Sequence, residues 1–316
     1  MNNKKNKLSG FLPTFCMAMV CALLWGSAFP MIKIGYSCFE IESGDTPSIF
    51  LFAGIRFFLA GLLTVLIFSV INKKPLLPTK SSLPMITVLS LFQTILQYVF
   101  FYLGLAFTTG VKASVINGSS TFFALLISAF LFKQETFTAK KAFGCIFGFL
   151  GVVLAALSGG VDRSGLSIGD LFILFSAVSY SFSSVFMKKY SASENPAMLS
   201  GWQFVLGGAV MTAVGFISGG HLDFYSKKGI AVIVYLAFVS AVAYSLWSIM
   251  LKYNDVSRIA VYGSLTPIVG FVLSYIILGE KNGSLLFNML GLLCVVVGII
   301  AVNYTKKNSQ KNTPAD

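Results

Sequence analysis

Apolar residues run along this chain in stretches of about 20, the length that carries a helix across a bilayer. Short clusters of charged, glycine, proline and amide residues separate them, at 40–47, 72–82, 133–141, 159–167, 188–196 and 219–229. The pattern predicts ten helices, at 12–34, 48–71, 83–107, 111–132, 140–158, 167–187, 197–217, 229–251, 256–278 and 284–304. Two connections, 108–110 and 252–255, are so short that spans 3 and 4, and spans 8 and 9, must be antiparallel hairpins. No gap is long enough for a soluble domain. Lys4, Lys5 and Lys7 before an apolar run imitate a signal peptide. The run continues through Trp25 and Pro30 to Ile34 without a small-residue cleavage site, so it reads as the first span.

Composition agrees with the pattern. Of 316 residues 56% are hydrophobic and 29 more are glycine, against 23 basic and 11 acidic residues, too few for a water-facing surface of ordinary charge density. A soluble globular enzyme is excluded. A net charge of +12 would suggest nucleic acid in a soluble domain. Here the lysines stand in pairs between spans and read as topology signals, so no nucleic-acid partner is expected. With a cytoplasmic N-terminus, 16 of the 23 basic residues fall on the inner side, which puts both termini in the cytoplasm of a multi-pass cell-membrane protein. Four of the five cysteines lie in apolar runs, and the single histidine, His221, lies in an outer loop. No disulfide framework, metal or cofactor is expected.

The two halves resemble each other. Aligning 113–135 with 258–280 places Gly118, Ser119, Thr121 and Glu135 on Gly263, Ser264, Thr266 and Glu280. GIRFFLAG (54–61) falls on GWQFVLGG (201–208), Gly144 and Gly151 on Gly291 and Gly298, and Ala22, Trp25 and Lys33 on Ala177, Tyr180 and Lys188. Five spans is an odd number, so the second copy enters the membrane from the opposite side. Two similar bundles of opposite orientation are the physical basis of alternating access. The expected fold is an all-α integral membrane protein of ten transmembrane helices, built as two inverted five-helix repeats, 12–158 and 167–304. An outer linker (159–166) joins them, and tails (1–11 and 305–316) flank them.

ALLWGSAFPMIK (22–33), GIRFFLAGLL (54–63), the ends of spans 4 and 9 running into Glu135 and Glu280, and the glycine-spaced spans 5 and 10 carry a resemblance to the drug/metabolite transporter superfamily, of the ten-helix EamA type. The resemblance implies a carrier that exports small metabolites. Span 9 has the Thr266-Pro267 break typical of that family, whereas span 4 has Thr121-Phe122. Any flexibility in span 4 would have to come from Gly118, Ser119 and Ser120.

Polar groups deep in a span are costly and face protein or water. Gln93 and Gln97 share a face of span 3, with Tyr98 and Tyr102 nearby. Span 4 adds Asn117, Ser120 and Thr121, span 8 Tyr244, Trp247 and Ser248, and span 9 Tyr262 and Thr266. Trp25 in span 1, and Tyr180 with Ser181, Ser183 and Ser184 in span 6, form a second tier. Each has a plainer explanation: amides join helices, aromatics form interfacial belts, and small residues permit close packing. As a set they favour a neutral, aromatic and amide-lined cavity for a zwitterionic or amphipathic small molecule such as an amino acid. Arg56, about two turns into span 2, either snorkels toward Glu40, Glu42 or Asp45 or holds a substrate carboxylate. Lys33 with Glu280 outside, and Lys188 with Glu135 inside, are placed to form reciprocal gate ion pairs, with Pro267 at the span-9 bend. Alternatively the lysines snorkel and the glutamates serve the N-termini of spans 5 and 10.

All 11 acids lie at span ends, in loops or in the tail, so transport driven by a midplane carboxylate is not expected. A membrane-embedded enzyme or receptor is the competing class, but the spans hold no histidine cluster, carboxylate pair or Gly-x-Ser-x-Gly motif. A carrier of a small molecule in a lipid bilayer is the expectation, with the substrate, the direction of transport, the coupling and a homodimer left open.

Overall fold

The computed structural model describes residues 11–133, 136–158, 167–253, 262–263, 265–280 and 284–303. Their regular elements are all helices, with no strand among the described residues. The helices are α1 (Phe11–Cys38), α2 (Thr46–Asn72), α3 (Leu83–Phe107), α4 (Gly110–Leu131), α5 (Ala139–Leu157), α6 (Ile168–Tyr190), α7 (Pro196–Ile217), α8 (Lys227–Tyr253), α9 (Leu265–Leu278) and α10 (Leu285–Asn303). Among the described residues all but α9 are long and apolar enough to cross a membrane, and α9 is apolar over its 14 described residues.

Local chemistry accounts for the ends. Asp45 accepts from the Ser48 amide at 3.1 Å to start α2, and Asn195 accepts from Ala197 at 2.9 Å to start α7. Ser167 and Asp170 form a reciprocal capping box at α6. The first span outruns its expected end at 34. The helix continues because Tyr36 is buried and Gly35 admits Phe52, whose ring would lie 2.4 Å from an added Cβ; the chain turns only at Glu40, with φ at 53°. Two helices are irregular inside. α3 widens into a π-helical turn over Ser90–Leu96. α4 is interrupted at Gly118 and Ser119, whose amides bond three residues back, to Val115 and Ile116, and has a second wide turn at Ile127–Leu131.

Two antiparallel glycine crossings join the halves. In α2 against α7, a Cβ on Gly61 would lie 2.5 Å from the Val205 nitrogen, and one on Gly208 would lie 2.3 Å from the Phe58 nitrogen. In α5 against α10, a Cβ on Gly144 would meet the Gly298 carbonyl at 2.7 Å, and one on Gly151 the Gly291 carbonyl at 2.5 Å. The shift that carries Gly61 onto Gly208 turns each of these contacts into its mate. The same exchange relates the other packings: α1 lies against α8 and α9 as α6 lies against α3 and α4, and α2 meets α8 as α7 meets α3.

A side chain at these crossings has to push backbone aside, and overpacking of this kind costs about 1–3 kcal/mol. Gly208→Val should therefore lower the melting temperature of the detergent-purified protein by several degrees. Gly44→Ala, where an added Cβ meets nothing within 4 Å, should leave it unchanged. Equal melting curves for the two variants would remove the crossing from its structural role.

Candidate functional site

Four rings occupy the centre of the bundle. Phe57 of α2 stacks on Phe204 of α7 with centroids 5.3 Å apart, and the Tyr98 hydroxyl of α3 bonds the Tyr244 hydroxyl of α8 at 2.8 Å. Each pair joins residues from corresponding positions of the two halves. The side pairs correspond too, Phe57 with Tyr98 at 4.0 Å and Phe204 with Tyr244 at 5.0 Å. Trp25 of α1 extends the group, 5.2 Å from Tyr244 and 5.1 Å from Trp247. Tyr262 lies further along, beside Phe15 at 6.2 Å, over the small core of Ala18, Cys21, Ala243 and Met250.

Arg56 sits beside these rings and is 2% exposed. Its Nε donates to the Leu236 carbonyl at 3.2 Å, one terminal nitrogen donates to the Tyr102 hydroxyl, and the other donates to the Ser240 hydroxyl at 2.9 Å. The guanidinium carbon lies 4.5 Å from the Phe57 ring centre, and the rings of Tyr98 and Tyr102 are within 6 Å. No carboxylate reaches it among the described residues. This overturns the snorkelling alternative. Neutral acceptors on α3 and α8 lie closer than the loop acids, and Asp45 is engaged at the start of α2.

The corresponding position in α7 is Gln203, fully buried. Its side-chain oxygen accepts from the Thr94 hydroxyl, and its backbone carbonyl accepts from Ser90 at 2.9 Å. Sequence reasoning passed over Gln203, Thr94 and Ser240. The alignment of GIRFFLAG with GWQFVLGG held the signal, since it sets Gln203 opposite Arg56.

The expected lining residues divide by how they are satisfied. Gln93 and Gln97 are buried at 4% and 7% exposure, and the Oε1 of each, like the Trp25 indole nitrogen, has no protein partner. Tyr102 is fully buried and engaged on both sides, its hydroxyl with Arg56 and its carbonyl with the Tyr36 hydroxyl at 2.8 Å. Ser184 donates to the Tyr180 carbonyl of its own helix at 2.9 Å. Ser181 donates to the Ser120 carbonyl at 2.8 Å, tying α6 to the α4 interruption. Asn117 and Ser120 flank that interruption and, like Thr266 in α9 and Tyr180, are half-buried. Across the interruption stands buried Pro267, 3.5 Å from where a Cβ on Gly118 would be.

A charged cluster closes the end of the bundle that carries the α3–α4 turn. Lys33 lies 3.6 Å from Glu280, whose two carboxylate oxygens accept from the Gly110 and Val111 amides at 3.0 Å each. Glu280 therefore serves the N-terminus of α4 and not, as expected, that of α10. α10 begins only at Leu285, whereas the turn before α4 leaves its first amides without helical partners. Beside it, fully buried Asp170 accepts from Lys112 at 2.8 Å, Thr108 at 2.6 Å and the Ser167 amide at 3.0 Å. Lys112 carried no signal in sequence beyond its charge. At the other end Lys188 is exposed in the last turn of α6, and its expected partner Glu135 lies outside the described residues.

Tyr98→Phe or Tyr244→Phe should each destabilise the protein by about 1–3 kcal/mol, because the hydroxyl left behind is buried without its partner. The double variant should recover part of that loss in a thermal double-mutant cycle. Strict additivity of the two single effects would mean that the hydroxyls do not depend on one another.

The EamA-like transporter family matches the chain twice, over residues 12–157 and 167–304. The chain is 27% identical over 302 residues to a probable amino-acid metabolite efflux pump of Escherichia coli (strain K12), covering 90% of this chain and 92% of that protein. It is 28% identical over 310 residues to the uncharacterized transporter YvbV of Bacillus subtilis (strain 168), covering 95% of both. A crystal structure with 18% sequence identity matches with a TM-score of 0.65 over 92% of this chain and 96% of the other, a likeness of fold. With both halves matched by one family model, the chain belongs to the EamA-like transporter family and is a multi-pass membrane transporter, not an enzyme.

Proposed function

We propose that the protein exports a small organic metabolite, an amino acid or a related zwitterionic or amphipathic molecule, across the cell membrane by alternating access of its two five-helix repeats. The supporting observation is the core itself: aromatic side chains of the two halves meet there, Phe57 with Phe204 where α2 and α7 cross antiparallel, and Tyr98 of α3 with Tyr244 of α8. A bundle whose packing is nearly unchanged by exchanging its halves has two packings of similar energy, each open on a different side. The substrate class and the direction also agree with the name of the E. coli relative, a probable amino-acid metabolite efflux pump. By the positive-inside rule both termini are cytoplasmic and the α3–α4 turn faces outward. Lys33 and Glu280 then act as the outer gate, and Lys188 and Glu135 as its counterpart inside.

Thermal-shift screening of the purified protein against the common amino acids, followed by counterflow of the hits in liposomes, tests this reading. Gln97→Ala and Asn117→Ala should each lower exchange about tenfold at unchanged membrane abundance, the loss of one buried hydrogen-bonding group. Full exchange by both variants would remove them from the site.

Transport runs down the substrate's own gradient or by exchange. Asp170, the acid deepest in a helix of the charged cluster, is held by Lys112, Thr108 and Ser167, and no acid stands among the central rings in the described residues. With membrane potential clamped, an imposed pH gradient should change the flux by less than about twofold. Uphill accumulation driven by that gradient, and lost in Asp170→Asn, would reverse this conclusion.

A further inference from the structure

Within that transporter reading, we propose that Arg56 is the carboxylate anchor of the transport site: its guanidinium has no counter-ion among the described residues, and the substrate supplies one. Arginine carries its charge at all working pH values, and an unpaired charge in a low-dielectric interior is expensive. Three neutral oxygens and the faces of Phe57, Tyr98 and Tyr102 offset part of that cost, but none of them neutralises the charge. The bonds to Leu236, Tyr102 and Ser240 use three of the five guanidinium N–H groups. A carboxylate both cancels the charge and matches the planar fork of donors.

The corresponding joint in the other half argues against a purely structural role. There Gln203, with Thr94 and Ser90, links α7 to α3 without any charge. The joint between a second helix and its neighbour therefore does not require a cation, and the one at Arg56 needs another reason. Two buried amide oxygens on α3 supply the second half of a zwitterion site. The Gln93 and Gln97 Oε1 atoms are buried acceptors without donors among the described residues, and Gln97 precedes in sequence Tyr98, whose ring lies 5.7 Å from the Arg56 guanidinium carbon. An ammonium group is a donor that suits free amide oxygens and aromatic faces. The substrate class is a molecule with a carboxylate for Arg56 and an ammonium or other donor for the two glutamines.

The test uses the full-length protein, purified and reconstituted in liposomes. The probes are the common L-amino acids, their carboxamides, which lack the carboxylate, and the matching deaminated acids. Wild type should be stabilised by, and should exchange, compounds bearing the carboxylate, and should do so at least about tenfold better than the amides. Arg56→Gln, which copies the uncharged joint at Gln203, should keep the melting temperature of the ligand-free protein and lose that preference. Arg56→Lys should retain part of it.

Equal exchange of acids and amides, or exchange of amides alone, overturns the anchor and leaves the transporter reading standing. Thermal stabilisation by carboxylates that Arg56→Gln abolishes, without exchange of any probe, supports the anchor and counts against the transporter reading. A melting temperature that collapses in both Arg56 variants without ligand makes the residue a structural joint and overturns the proposal.

Discussion

A polar group inside a membrane protein has no water to fall back on, and this constraint organises the molecule. Serines and threonines in the helices turn onto backbone carbonyls, as Thr64 does on Ala60 at 2.8 Å and Ser245 does on Ala241 at 2.5 Å. Longer polar side chains bridge helices, as Gln203 and Arg56 do. Charged groups gather at one end, where Lys33, Glu280, Lys112 and Asp170 satisfy one another and the free amides of α4. Among the described residues the amide oxygens of Gln93 and Gln97 belong to a small set of buried polar atoms left unpaired, and no carboxylate neutralises the Arg56 guanidinium.

Close packing is the second condition. Helices in lipid gain little from burying apolar surface against each other, so contact depends on shape. The glycines of α2, α5, α7 and α10 let backbones meet at distances that any side chain would block. These two crossings act as fixed seams. The irregular helices α3 and α4, with a wide turn and an interruption, lie between them and against α6.

The ten helices were legible in the sequence because the length of an apolar run is set by bilayer thickness, whatever the packing inside. Which face of each helix turns inward was much less legible. α1 and α2 are apolar on all sides, so periodicity points nowhere. The depth of Arg56 could be read, but not its direction, because its partners Leu236 and Ser240 are 180 and 184 positions away. Glu280 shows the same limit: its place at the end of span 9 was clear, while the amides it serves lie 170 positions earlier. The aromatic residues Trp25, Tyr98, Tyr244 and Trp247 were recognisable as a set because each lies inside an apolar span. Their contacts, Tyr98 with Tyr244 and Trp25 with Tyr244 and Trp247, are revealed only by the assembled bundle.

Arg56 and Gln203 occupy matching positions on helices that cross each other, and only one of them is charged. A dimer of identical five-helix halves could not make that choice: whatever stood at one position would stand at the other, and a cation would be buried twice across the same core. Joining the halves into one polypeptide frees each position to differ, so the centre can hold a single guanidinium without a second like charge opposing it. Covalent linkage thus gives a symmetric scaffold a polarity, with a charged joint at one of two matching positions and a neutral joint at the other.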